Sequence, residues 1–254
     1  MHIYRFATLF CPALIVASLP LLCRATVATN RPIKDTTLYQ DASGAVANGA
    51  GSYVFAGKTQ TGSIRRGLIQ FDLTGTIPAG SVITHAELFL QMSRTSAGAL
   101  SVSLHHANAE WGEGTSNADA QEGSGAPATA GDATWLHTFY SNAFWAVPGG
   151  TFTAQPGAGT MVAGIGRYVW SSDQMVTDVQ AWLDNNGLNF GWILIGDESG
   201  NGTAKRFNSR ENVIAATQPQ LVTTYVIPEP GYLSLVLTLM FIVKPGLTVC
   251  KCKM

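Results

Sequence analysis

Leu68-Ile69-Gln70-Phe71-Asp72-Leu73 decides the fold: Ile69, Phe71 and Leu73 fall on one side of an extended chain, and Gln70 and Asp72 on the other. Such a strand buries one face and leaves its neighbour faces to be paired. The next long run repeats the pattern, with Leu88, Leu90 and Met92 opposite Glu87, Phe89 and Gln91. Further short runs rich in β-branched and aromatic residues lie between clusters of Gly, Asn and Pro. They are 36–39, 52–55, 100–106, 190–195, 205–210 and 221–226. The reading is all-β, an antiparallel sandwich.

One segment departs from the strand period. Met175, Val176, Val179, Trp182 and Leu183 recur at helical spacing, with Ser171 and Gln174 placed as a capping box and Gly187 beyond the end. A short helix is expected here, covering a sheet edge. Between 107 and 166 the chain is dominated by Gly, Ala, Ser, Thr and Pro, yet carries Trp111, Trp135, Phe139, Tyr140 and Trp145. That aromatic content predicts long packed loops with one or two strands rather than a disordered linker.

The two ends read differently from the middle. Residues 1–28 combine His2 and Arg5, an apolar stretch from Phe6 to Leu22, and small residues at Ala25 and Ala28, the layout of a cleaved secretory leader. At the other end Pro228-Glu229-Pro230 precedes an apolar run from Tyr232 to Val243 and then Lys244, Lys251 and Lys253. The run's 12 residues would make a helix only about 18 Å long, short of a bilayer core of roughly 30 Å, unless Lys244 snorkels and 246–249 continue it. The order of parts in 228–254 resembles a PEP-CTERM sorting signal, with Cys-Lys-Cys-Lys-Met where an arginine cluster is usual. The resemblance implies export, processing by an exosortase-type enzyme, transient or C-terminal membrane association, and a place at the cell envelope surface or in the extracellular matrix.

That leaves 29–227 as a single domain. It holds ten Lys and Arg against fifteen Asp and Glu, spread without long runs, which argues against nucleic-acid binding. All four cysteines, Cys11, Cys23, Cys250 and Cys252, lie in the end segments, so disulfides cannot brace the domain. The histidines show no zinc spacing.

Within the domain, four passages in order resemble the DNRLRE-domain family of secreted bacterial and archaeal proteins. They are Thr36-Thr37-Leu38-Tyr39 with Gly49-Ala50-Gly51; 65–73 running into Ile77-Pro78-Ala79-Gly80; Glu110-Trp111-Gly112-Glu113-Gly114-Thr115; and a terminal set from Asp178 through Gly191-Trp192, Gly196-Asp197-Glu198-Ser199 and 205–211 to Gln218-Pro219-Gln220-Leu221. The resemblance implies a jelly-roll sandwich, without catalytic activity of its own, similar to modules that bind polysaccharides, acidic ones such as polyuronates among them. Fold-level likeness leaves function to be argued from the site.

Candidate binding residues follow from chemistry. If 204–210 is one strand, Arg206 and Arg210 project from one face as a fork for carboxylate or sulfate groups, with Lys205 on the other face. Arg65 and Arg66 would extend that basic patch. The competing reading is an internal ion-pair network with Glu211, Asp197 or Glu198. Trp111, Tyr140 and Trp145 are candidate stacking faces for sugar rings, although a packing role weighs more for each. Trp170, Trp182 and Trp192 belong to the core. Asp197, Ser199 and Asn201 precede Gly202 as in the first half of a calcium loop, so a structural calcium competes with a plain Asn-Gly hairpin. Enzymatic readings are thin, because no nucleophile elbow, phosphate loop or His-Glu-x-x-His occurs, and His105 and His106 on a strand would face opposite ways. Three functions therefore compete: a non-catalytic polysaccharide-binding surface protein, a structural or adhesive matrix protein with protein partners only, and, least favoured, a polysaccharide hydrolase or lyase.

Overall fold

The computed structural model describes residues 24–228, which form one compact unit. The leader up to residue 23 and the sorting segment from Glu229, Pro230 included, lie outside the described residues. The strands in chain order are β1 (Ala25–Asn30), β2 (Pro32–Tyr39), β3 (Val46–Ala47), β4 (Tyr53–Lys58), β5 (Ile64–Phe71), β6 (Val82–Thr95), β7 (Leu100–His106) and β8 (Ala126–Pro127). After them come β9 (His137–Phe139), β10 (Ala143–Phe144), β11 (Ala158–Val162), β12 (Gly166–Ser171), β13 (Trp192–Ile195), β14 (Lys205–Asn208) and β15 (Gln220–Val226). A single α-helix, α1 (Asp173–Asp184), precedes β13.

The expected antiparallel sandwich is present, and its two layers are one curled ladder in the order β1-β15-β6-β14-β4-β5-β13-β7-β11. β12 joins β6, and β2 joins β5. The curl happens within β4. Tyr53–Ala56 pair with β14 in the first layer, while Gly57 and Lys58 pair with Arg65 and Ile64 in the second. Gly57 sits at the corner with φ +114°, and a Cβ there would meet Ala204 Cα and the Thr203 carbonyl at 3.0 Å. Only glycine takes that backbone without strain.

Between the layers, Ile69, Phe71, Leu88, Leu90, Met92, Leu104, Trp192 and Leu194 make the main core. The alternation read from the sequence thus places the correct faces inward. Trp170, Trp182 and Trp192 are all buried there, and Trp182 meets Trp192 with ring centroids 4.4 Å apart. The helix seals one side through Met175, Val179 and Trp182. Its N-cap is Ser172, whose Oγ accepts the Met175 N–H at 3.0 Å; the anticipated Ser171 instead ends β12 and bonds the Ala86 carbonyl.

A second core lies outside the second layer. Leu38, Leu68 and Ile193 point away from the main core and are covered by Trp111, Ala133, Trp135 and Trp145 from the long loop. β5 and β13 are therefore buried on both faces, and the loop is a packed lid. β1 begins at Ala25 and pairs residue by residue with β15, from Ala25↔Val226 to Asn30↔Leu221. Four residues of the expected leader, 25–28, are thus part of the sheet.

Candidate functional site

β6 is read in the sequence as ending near Met92, and simple alternation would turn Arg94 into the core. A β-bulge changes that. Met92 pairs with Phe207 and Arg94 with Arg206, leaving Ser93 as the extra residue between them. The bulge shifts the phase, so Met92 and Phe207 stay inside while Arg94 and Arg206 face outward directly across the strands.

Like charges opposite each other on a sheet repel. Here they share one neutral acceptor: Gln121 Oε1 accepts Arg94 Nη1 at 2.6 Å and Arg206 Nη1 at 2.7 Å. Arg206 Nε donates to Ser93 Oγ at 3.0 Å, and its guanidinium lies 3.7 Å above the Tyr53 ring. Burial pushes the Arg206 pKa below its ordinary value, Tyr53 opposes the fall, and Arg94 adds to it. Among the described residues neither arginine forms a salt bridge.

The pair borders a cleft of about 470 Å³. Lys58 from the end of β4, Arg65 from β5, Phe55 and Gly123 complete the parts that matter chemically, and no carboxylate lines it. The backbone of Lys58 is held by Thr203 Oγ1 and the Ala204 N–H, while its ammonium has no hydrogen bond or ion pair among the described residues. Arg65 is only 7% exposed and lies 4.6 Å above the Tyr39 ring, with its guanidinium spent on the Gly123 and Ile64 carbonyls and Ser63 Oγ. It contributes charge more than free donors, and burial lowers its pKa. Glu122 is buried and bonded to Asn48, Ser52 N and Tyr53 N, and its charge also opposes the fall in the Arg206 pKa. Four cations from four strands thus border one open volume whose lining holds no carboxylate.

The other sequence candidates go elsewhere. Arg206 and Arg210 form no fork, because β14 stops at Asn208 and Arg210 lies in the following turn. Arg210 grips Glu113 with two bonds, Nε–Oε1 2.7 Å and Nη2–Oε2 2.8 Å, and also meets Glu211. Lys205 points inward, 1% exposed, donating to the carbonyls of Ala97, Gly98 and Ala163. Arg66 is a loop anchor, bidentate on Glu198 at 2.7 and 2.9 Å and bonded to the Gly149 carbonyl. Arg66 and Arg210 both lie in ion pairs. Trp111 and Trp145 are buried, their indole N–H groups donating to the carbonyls of Phe190 and Thr134. Tyr140 is half-buried, edge-on to His137 at 5.2 Å. None of the three offers an open stacking face at the cleft.

Asp197 closes its own turn, with Oδ1 accepting both N–H and Oγ–H of Ser199, which lowers its pKa. That turn crosses from β13 in one layer to β14 in the other, so it is not a hairpin. Another acidic group, Asp35, Glu113 and Glu211, brings its oxygens within 4.8 Å of one another. Arg210 is its counter-cation, and Asp35 also accepts the Arg210 N–H. Burial raises the Asp35 pKa well above the usual carboxylate value, and burial with Glu113 nearby pushes Glu211 up to about 7.

Sequence reasoning missed Arg94, Lys58 and Gln121. Each is a lone polar residue in its own segment, and only the curl and the bulge bring them together. In comparisons with known proteins, no family model matches the chain and no curated protein matches it.

Proposed function

We propose that this is an exported, non-catalytic surface protein that binds an acidic polysaccharide, a polyuronate or sulfated glycan, in the cleft bordered by Arg94 and Arg206. The observation that carries the reading is two guanidinium groups set opposite one another and tied by a neutral amide, with Lys58 and Arg65 beside them. An anionic group would relieve that repulsion and take two charge-assisted contacts. The likeness of the four sequence passages to the DNRLRE-domain family, and of the tail to a PEP-CTERM signal, supports the same reading by analogy.

The test is a glycan array and titration calorimetry with the purified protein against polyuronates, sulfated glycans and neutral polysaccharides. Saturable binding of an acidic glycan that weakens with salt is expected, and the double substitution R94Q/R206Q abolishes it. Binding that ignores charge, or survives the double substitution, overturns the site. No binding to any glycan favours the matrix or adhesive reading, in which the contacts are to proteins.

A further inference from the structure

Gln121 stands at the tip of a short strap beside the cleft, and one buried side chain clamps both legs of it. Asn48, 1% exposed, accepts the Ala118 N–H on Oδ1 at 2.8 Å and donates from Nδ2 to Glu122 Oε2 at 2.9 Å. Glu122 is pinned again by the N–H groups of Ser52 and Tyr53 and by the Tyr39 hydroxyl, which donates to its carbonyl at 2.9 Å. Between these anchors Asp119, Ala120 and Gln121 are exposed. Among the described residues, the Asp119 carboxylate has no partner, and the bonds of Gln121 to Arg94 and Arg206 alone tie a side chain of this tip to the rest of the fold.

The tip is held in a conformation its residues do not favour. Ala120 and Glu122, on either side of Gln121, have φ +57° and +60°, the left-handed region that residues with a Cβ rarely adopt. The Glu122 N–H closes the turn on the Asp119 carbonyl at 3.1 Å. Gly123, the next residue, lines the cleft. A turn strained on both sides of one residue and clamped beyond it presents that residue at a fixed place. Here it sets an oxygen where two guanidinium groups converge, 2.6 and 2.7 Å away. That point suits the oxygen of an anion, and a neutral amide fills it with only a partial charge.

We infer that Gln121 is a tethered stand-in for the ligand: its amide oxygen occupies the anion position between Arg94 and Arg206 until a carboxylate or sulfate group displaces it, and the 119–121 tip swings out from the Asn48 clamp as a gate. The inference rests on reading the cleft as a site for acidic polysaccharide. It makes Gln121 a selectivity residue. A hydroxyl or amide of a neutral sugar offers the two arginines no more than Gln121 already does, whereas an ionised oxygen forms the stronger, charge-assisted bonds. A closed tip also weakens apparent affinity by the fraction of molecules in the open state, so removing the amide restores that factor.

The experiment uses the full chain with Cys11, Cys23, Cys250 and Cys252 replaced by serine, carrying a spin label at A120C on the tip or at S124C beyond the Glu122 anchor. D119C takes the place of A120C if that variant fails to fold. A polyuronate, or inorganic sulfate as a probe without sugar, is expected to loosen the label at 120 and leave the one at 124 unchanged. In R94Q/R206Q the tip is loose from the start and neither anion alters it. By calorimetry, unlabelled Q121A should bind the polyuronate at least ~3-fold more tightly, and Q121E, whose carboxylate takes the position from within, at least ~10-fold more weakly. A label at 120 that is loose before any anion is added, or that stays held with polyuronate bound, overturns the gate. Equal or weaker binding by Q121A does so too, since Gln121 then orients the arginines instead of blocking them. Loosening by sulfate with no binding of any glycan upholds the gate and fails only the polysaccharide reading; no response of the label to either anion overturns the gate.

Discussion

Arg94 and Arg210 carry the same charge and should respond oppositely to removal. Arg94 has no acid partner and faces Arg206, so R94A is expected to leave the melting temperature unchanged or slightly higher while reducing acidic-glycan affinity at least ~10-fold. Arg210 satisfies Glu113 and shields Asp35 and Glu211. R210A should cost ~1–3 kcal/mol in denaturant unfolding, with no specific loss of glycan binding in the folded fraction. The acid cluster also sets a pH dependence. Burial and the neighbouring Glu113 push Glu211 from an ordinary 4.5 up to about 7, so the folded state holds the extra proton between those values. Its stabilisation is complete below about 4.5 and is lost as pH rises through 7, and Asp35 acts in the same direction. Thermal melts from pH 5 to pH 8 should show a falling midpoint, with the slope reduced in E211Q. A midpoint that rises over this range would place the protons elsewhere. At this scale the sequence revealed residue types but not partners. Arg206 and Arg210, four apart in the chain, lie on unrelated networks because the strand ends between them.

At the scale of elements, the long strands were legible because burial on one face imposes a period of two, and the helix because its stripe recurs at 3.6. What stayed hidden were elements without a private pattern. β11 lies in a stretch dominated by small residues, β1 lies inside a leader-like run, and the bulge at Ser93 is invisible to periodicity. β1 yields a definite expectation. A cut after Ala28 would strip four of its six paired residues and bare the edge of β15, whereas a cut after Ala25 keeps the strand from Thr26 on. Intact-mass analysis of the exported protein should find an N-terminus at or before Thr26. The corner in β4 yields another. G57V forces a branched side chain into φ +114° against the Ala204 backbone and should destabilise by at least ~2 kcal/mol, read as a lowered unfolding midpoint.

For the whole molecule, the absence of cysteine from the described residues places all bracing on burial, and the second core beneath the long loop is part of that bracing. W111A would empty a fully buried indole position and orphan the Phe190 carbonyl, at a cost of ~3–5 kcal/mol by chemical denaturation. The sequence showed the loop to be packed, since it is too aromatic for a linker. It did not show that the sheet beneath is buried on both sides. That double burial is also why a loop that looked like the place for ligands holds its tryptophans closed, while the open cleft lies at the bend of the curled ladder.

The ladder has a mechanical consequence. β15 is flanked on both sides by antiparallel partners, β1 over Ala25–Asn30 and β6 over Val82–Phe89. A pull on Pro228 against a load at the Arg94 end runs along these strands rather than across them. Their hydrogen bonds then resist together in shear instead of parting one by one like a zip. In a pulling experiment between these two points the domain should rupture at higher force than when it is pulled sideways from the β11 edge.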